Sequence, residues 1–489
     1  MQYKFVPQIK MRLPFVIIIF ISILWSCQED EYLTSSSAKL AFSTDTVMFD
    51  TVFTGIGSAT QRFKVYNRHD QPIKVSSIEL AKGNASHYAI NVDGISANSV
   101  DDIQIEANDS IFIFVEVNID PSTDDIIEKD SILFFTNGNR QDVKTIAFGQ
   151  NVNLLMGQNL GTQTWDATRP YLIYTSCLVD TLQTLTIEAG TKVYFHDNAS
   201  LFILGSMQVN GSMQQPVLFG GDRLETFYED KPGQWGAYTT LENGATYVFG
   251  GLHFLPGSFN NQIDYAIIKN ANKGIQLDSA IGPGYTLEIS NTMISHMNLT
   301  GIYAQTSRVK GENLVLNNCG SHAIAMVLGG KYNFNHITVA NYTPYSSRNT
   351  ASIALNNYFV SGDVGYVYDL EEATITNSII YGDGGENGNE IVIDYAGEGT
   401  FNYTFDHCMV KVNDEFDMTD ETHYKNIIRN PEMGPRFVSR EEYNFRLDTL
   451  SPAINEGNTA YGANTPIDLD GNNRTTDQAP DLGAYERQQ

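Results

Sequence analysis

Arg308 and Lys310, in the stretch SRVKGE, are cations that could serve as a catalytic base. Downstream, Asp383, Glu386, Glu390 and Asp394 fall close enough in sequence to hold a cation between them. Cations and acids also line solvated turns as a matter of course, and without a cleft that plainer reading carries more weight. Asp468-Leu469-Asp470-Gly471-Asn472 places oxygens at its first, third and fifth positions, the spacing of a calcium loop, so Asp468, Asp470 and Asn472 are the candidate metal ligands and Ca²⁺ the candidate ion. Asn473 stands where such a loop has glycine, and Ala479 where it has a bidentate glutamate, so a structural turn explains the stretch better. Trp235 in DKPGQWGAY, with Tyr381 and Asp394, could contact a sugar, as could Trp165, although aromatic rings pack inward by default. His196, His253 and His322 do not pair at metal-binding spacing, and no Ser-His-Asp set can be argued from their order.

The elements that would position these residues begin after an unusual front end. Lys4, Lys10 and Arg12 precede an apolar run from Leu13 to Trp25, and Ser26 then supplies a small residue before Cys27. This is the layout of a secretory signal, and the run is shorter than the roughly 20 residues that a permanent spanning helix needs. Leu24-Trp25-Ser26-Cys27 resembles the lipobox of bacterial lipoproteins. That resemblance implies lipid attachment at Cys27 after removal of residues 1–26, and two or three acyl chains suffice for stable anchoring. Gln28-Glu29-Asp30-Glu31 resembles the acidic export signal of surface lipoproteins in Bacteroidota, which implies an outer-membrane, surface-exposed protein held to the membrane through its lipid only.

Charge agrees with that placement. Loss of residues 1–26 removes three cations and no acids, taking the net charge from −27 to −30. Such a chain does not bind nucleic acid or an anionic bilayer electrostatically. Beyond Cys27 only Cys177, Cys319 and Cys408 remain, too few and too far apart for a disulfide framework or a zinc site.

Residues 27–37 read as a polar tether. Over 38–152 short runs alternate apolar and polar residues between turn signals, which predicts a β-sandwich. FDTVFTGIG, FKVYNRHDQPIKVSSIEL, IEANDSIFIFVEVNID and ILFFTNG resemble immunoglobulin-like domains of the ASPM/SPD-2/Hydin type, which are spacers or interaction modules.

From 153 to 429 strands of four or five residues recur between Gly, Asn and Asp turns. Aligning Ile267, Met293, Val315 and Thr338 gives steps of 26, 22 and 23 residues, and the next steps, to Ile379 and Met409, are 41 and 30. That period predicts a solenoid of parallel strands, with insertions in the longer steps. Ile267, Ile268, Met293 and Ile294 are its expected stacking aliphatics. Asn270, Asn317 and Asn377 are its expected left-handed corners.

The stretch resembles right-handed parallel β-helices of the pectate-lyase-like superfamily. RL…SPAINEG, DLDGNNR and DLGAYE resemble the C-terminal segment of many bacterial β-helix proteins. Residues 430–489 are therefore expected to cap one open end and 160–190 the other, because exposed β-edges invite aggregation. Lyases of this superfamily commonly combine acid-held Ca²⁺ with a Lys or Arg base, while a hydrolase needs two carboxylates across the sugar. The polygalacturonase-like signatures Asn-Thr-Asp, Asp-Asp, Gly-His-Gly and Arg-Ile-Lys are absent from the coil region.

The expected protein is all-β: an immunoglobulin-like β-sandwich followed by a right-handed single-stranded parallel β-helix. Its expected partner is polysaccharide or another envelope protein, without established catalysis; the alternative is a polysaccharide lyase or hydrolase acting on acidic glycans.

Overall fold

The computed structural model describes residues 31–121, 127–242, 244–345, 347–385, 387–476 and 478–488. Cys27 and the signal residues lie outside this set, as does Glu386. The chain divides between Asn151 and Val152 into two compact units.

In the first unit, two five-stranded sheets share one core. One sheet orders Ala41–Phe42, Gln61–Tyr66, Ser110–Val117, Tyr88–Val92 and Ile95–Ser96; the other orders Thr46–Phe53, Asn139–Gln150, Ile127–Thr136, Ile73–Leu80 and Ser99–Ile105. Alternation does the sorting. In Ser110–Val117, Ile111, Ile113, Val115 and Val117 point inward, where they meet Val75, Ile78, Ile132 and Phe134 of the other sheet. Pairing is antiparallel except where Thr46–Phe53 runs parallel to Asn139–Gln150.

The second unit is a coil of parallel strands with three faces. The first face begins with Asn153–Met156 and Tyr171–Thr175, the second with Asn159–Leu160 and Cys177–Val179, and the third with Gln163–Trp165 and Thr184–Glu188. On the first face, Val193, Phe219, Ile268, Ile294, Leu316, Val339, Ile380 and Val410 pair in succession and stack inside the coil, all buried. Full burial of each such side chain contributes about 1.5–3 kcal/mol, which makes this column a main source of the coil's stability.

Ile267, Met293, Val315, Thr338, Ile379 and Met409 pair in that order one residue earlier in each strand. The repeat spacing therefore identifies the true register. The step of 41 contains a hairpin, Tyr358–Ser361 with Val364–Val367.

One residue per turn makes the corner from the third face to the first. Tyr265, Asn291, Asn313, His336, Asn377, His407 and Asn426 occupy it in successive turns, all left-handed, with φ from 47° to 53°. Asn tolerates this conformation better than most residues. At the corner leaving the first face, Asn270, His296 and Asn318 take the same role, so the left-handed asparagine is Asn318 and not Asn317.

The C-terminal residues do not sit where a simple end cover would. Phe445, Leu469, Ala484 and Tyr485 pack on Val315 and Ala340, and Leu447, Ala453 and Leu482 on Ile379 and Met409. The segment thus straps the outward column of the first face. Asn313 Nδ2 donates to the Ile467 carbonyl at 2.7 Å, and the Gly483 amide donates to the Asn377 carbonyl at 2.8 Å. At the last turn, Phe416 and Met418 pack against the interior. Residues 160–190, expected as a cap, are turns of the coil itself, with Trp165 and Tyr171 stacked 4.4 Å apart at its start.

Candidate functional site

The outward side chains of the third face form a polar column. Gln208, Gln262, Glu288, Lys310, Asn333, Thr374 and Thr404 are paired in successive turns. Neighbouring strands lie about 4.8 Å apart, so the column presents one hydrogen-bonding group per turn at that interval. Beside it run Asp264, Ser290 and Glu312.

Two loops raise walls over this column and enclose a cavity of about 510 Å³. Its floor carries Gln262, Glu288, Ser290, Lys310 and Glu312, and Phe259, Ile281 and Tyr285 stand at its sides. The walls are pinned from beneath. Asn261 is buried, and its Nδ2 donates to Ser258 Oγ at 2.9 Å and to the Thr286 carbonyl at 2.8 Å, while its Oδ1 accepts from the Met207 amide at 2.8 Å. Gly257 turns the first loop at φ 99°, a conformation that glycine adopts without steric cost.

Lys310 is the one basic group among the described residues of the floor. Its Nζ lies 3.7 Å from Glu312 Oε2, and Thr465 Oγ1 donates to that same oxygen at 3.1 Å. Two acids against one base make the floor weakly anionic and rich in donors and acceptors, which suits the hydroxyls of a neutral sugar. The apolar edges of Phe259 and Tyr285 suit its carbon faces.

Arg308 does not join Lys310. Its Nη2 donates to Glu371 Oε1 at 2.5 Å and its Nη1 to the Pro283 carbonyl at 3.4 Å, so it props the second wall from outside. The reading of Arg308 as a catalytic base is corrected on that ground: its guanidinium is committed to a carboxylate and a carbonyl.

The other expected residues are scattered. Trp235 is fully buried, stacks on Phe195 at 4.0 Å and donates its Nε1–H to the Lys269 carbonyl at 2.8 Å; it is a core residue and offers no sugar platform. Asp394 accepts from Tyr358 Oη at 3.0 Å, apart from the third-face cavity. Glu390 is buried against Arg348 Nη2 at 2.8 Å, which withdraws it from any cation site with Asp383 and Asp394.

Asp468 spends its oxygens on the amides of Asp470, Asn472 and Glu486, at 2.9, 2.6 and 2.7 Å. Asp470 is held at both oxygens by Arg446, at 2.5 and 2.6 Å, and Asn472 Nδ2 donates to Asp468. The loop is a turn whose oxygens already have donors, not a calcium cage. Among the described residues no three His, Cys, Asp or Glu side chains gather as a metal site requires.

The histidines are likewise engaged. His196 Nδ1 meets Asp222 at 2.6 Å, and that bond holds the imidazole above its ordinary pKa. His253 Nε2 meets Asp278 at 2.8 Å. His322 Nδ1 meets the Ala351 carbonyl at 2.6 Å, and burial pushes its pKa down. The three remaining cysteines are free and buried.

Tyr381 and Asp383 line a separate cavity of about 400 Å³, between the first face and the strap. Reading of single residues missed Gln262, Glu288, Glu312, Phe259 and Tyr285. A signal for the column existed: Gln262, Glu288, Lys310 and Asn333 each stand five residues before Ile267, Met293, Val315 and Thr338.

No family model matches the chain, and no curated protein matches it. Several solved structures resemble it distantly, two of them glycoside hydrolases. One is a family 123 glycoside hydrolase from Clostridium perfringens, at 8% identity and TM-score 0.18 over 25% of this chain and 30% of that one, so the chain spans under a third of that protein's length. The other is the catalytic unit of a thermostable GH87 α-1,3-glucanase from Streptomyces thermodiastaticus strain HF3-3, at 11% identity and TM-score 0.28 over 71% of this chain and 79% of that one. These activities are properties of those two proteins.

Proposed function

We propose that this chain is a lipid-anchored envelope protein that binds polysaccharide along the third face of its coil without cleaving it. Cys27 carries the lipid at the outer membrane of a Bacteroidota-like cell, the first unit is an immunoglobulin-like spacer, and the coil is a right-handed β-helix of pectate-lyase-like type. One observation carries the binding reading: a column of outward polar side chains leads into a walled cavity floored by Gln262, Glu288, Lys310 and Glu312 and edged by Phe259 and Tyr285. A polymer with regularly repeated hydroxyls matches a surface with one polar group per turn. The floor's excess of acid over base favours a neutral glycan.

The second reading, a lyase or hydrolase, draws on the same floor. Glu288 and Glu312 lie on adjacent turns as a carboxylate pair, and Lys310 stands between them as a base.

The test is retention of the protein on immobilised neutral and acidic polysaccharides, beside an assay of unsaturated-sugar absorbance and reducing ends with and without Ca²⁺. Binding of a neutral glycan, at least tenfold weaker in Phe259→Ala and Glu288→Gln, is the expected result. Retention unchanged by both substitutions refutes the third face as the site. Product that disappears in Glu288→Gln establishes the second reading instead.

A further inference from the structure

The cavity between the first face and the strap differs from the third-face site in sign. Lys411, Arg436 and Arg440 line it, with Asp383 the one acid among its described lining residues and the rings of Tyr342 and Tyr381 beside them. The whole chain holds 57 acids against 30 lysines and arginines, so three cations around one hollow of about 400 Å³ reverse the local balance.

Two of the three cations have no carboxylate partner among the described residues. The Arg440 guanidinium lies over the Tyr342 ring at 4.0 Å from its centroid, and Lys411 Nζ donates to the Gly382 carbonyl. Arg436 reaches Asp448 at 3.5 Å. A guanidinium stacked on a ring keeps its N–H fork in one plane, and that fork is free to take two oxygens of an anion side by side. Neither tyrosine hydroxyl has a hydrogen-bond partner among the described residues, so both remain available to a ligand's own hydroxyls. Lys411 and Arg440 thus keep their charge facing the hollow, while Lys331 on the third face is paired with Glu372 at 3.1 Å.

We infer that this cavity is a binding site for an anionic group carried on a sugar ring, a sulfate ester or a carboxylate. Arg440 and Lys411 receive the charged oxygens, Tyr342 and Tyr381 border the ring, and Asp383 at the rim accepts from its hydroxyls. The site is independent of the neutral-glycan reading of the third face, since the two cavities share no lining residue.

Titration of the full-length chain in detergent with glucose 6-sulfate, glucuronate and glucose tests it. At least one of the anionic sugars binds at least tenfold more tightly than glucose, and which one identifies the group. Its binding weakens as salt rises. Arg440→Ala, at an exposed position where folding is not at stake, weakens that binding at least tenfold, Lys411→Met weakens it as well, and Lys310→Ala on the third face leaves it unchanged. No binding of either anion, or indifference of anion binding to Arg440→Ala, overturns the inference. So does loss in Lys310→Ala, which would place the anion on the third face. Glucose held on the third face is recognised by its loss in Phe259→Ala and does not bear on this cavity.

Discussion

Replacing Glu486 by Gln should make the protein's stability less dependent on pH, and the size of the change follows from one buried cluster. Asp468, Asp481 and Glu486 are all buried in the strap, with Arg474 the single buried cation among them. Glu486 Oε2 accepts from Arg474 Nη1 at 3.3 Å and from the Asp481 amide at 3.0 Å, while Oε1 is buried with no hydrogen-bond partner among the described residues. Three carboxylates around one guanidinium cannot all be compensated, and burial, reinforced by Asp481 and Asp468, pushes the Glu486 carboxyl up to about 7 despite Arg474.

Below pH 4.5 both folded and unfolded chains hold the proton, so Glu486 has no differential effect. Between 4.5 and about 7 only the folded chain holds it, and each rise in pH then costs the folded state. Above about 7 the cost is complete. At about 1.4 kcal/mol per pH unit, the interval from the ordinary 4.5 to about 7 amounts to about 3 kcal/mol. Gln keeps the shape and the acceptor oxygen and cannot ionise. Urea unfolding of both proteins at pH 4.5 and pH 8 reads the double difference, in which the other titrating groups cancel. The expected result is a gain for Glu486→Gln, relative to wild type, of about 2–3 kcal/mol between the two pH values. Parallel pH profiles would show that Arg474 keeps Glu486 ionised throughout and would refute the reasoning.

Trp235→Ala should cost about 3–5 kcal/mol, as large-to-small core changes do, and leave glycan retention intact below the melting temperature; lost retention in the folded variant would return Trp235 to the binding surface. Arg348→Met leaves Glu390 buried and uncompensated, which costs about 3–5 kcal/mol in chemical denaturation, and Arg348→Met with Glu390→Met recovers much of that loss; equal destabilisation of single and double variants counts against the pair. In Asp222→Asn the His196 imidazole should titrate lower than in wild type by NMR, because the bond from Asp222 is the chief cause of its raised pKa. An unmoved titration assigns the effect to other neighbours.

The register of the coil was legible because a parallel ladder repeats the same place in each turn. Ile267, Met293, Val315, Thr338, Ile379 and Met409 follow one another in the structure although the steps between them run from 22 to 41 residues. Which side of the sheet they face was not legible. Met293 and Ile294 are both apolar, yet Ile294 stacks inside the coil and Met293 packs under the strap. Alternation distinguishes inside from outside only when the outside meets water, and here a segment more than a hundred residues away covers it. The site was hidden for a different reason. Gln262, Glu288 and Lys310 share no residue type, so a search for local motifs passes over them; only the ladder makes them neighbours.

The strap shows why its family-like motifs misled as chemistry. DLDGNNR and DLGAYE supply Asp468, Arg474, Asp481 and Glu486, the charged side chains of the buried cluster. Arg474 Nη2 reaches out of that cluster to Asn313 Oδ1 at 3.0 Å, a left-handed corner of the coil, and Asp468 holds the Glu486 amide. These residues fasten an irregular segment to a regular surface, where apolar contact alone would leave the strap's position along the column undefined. Carboxylates spaced to accept amide protons from one turn have the same local sequence as carboxylates spaced to ligate a cation. The difference lies in whether the donors are already present, and around Asp468 they are.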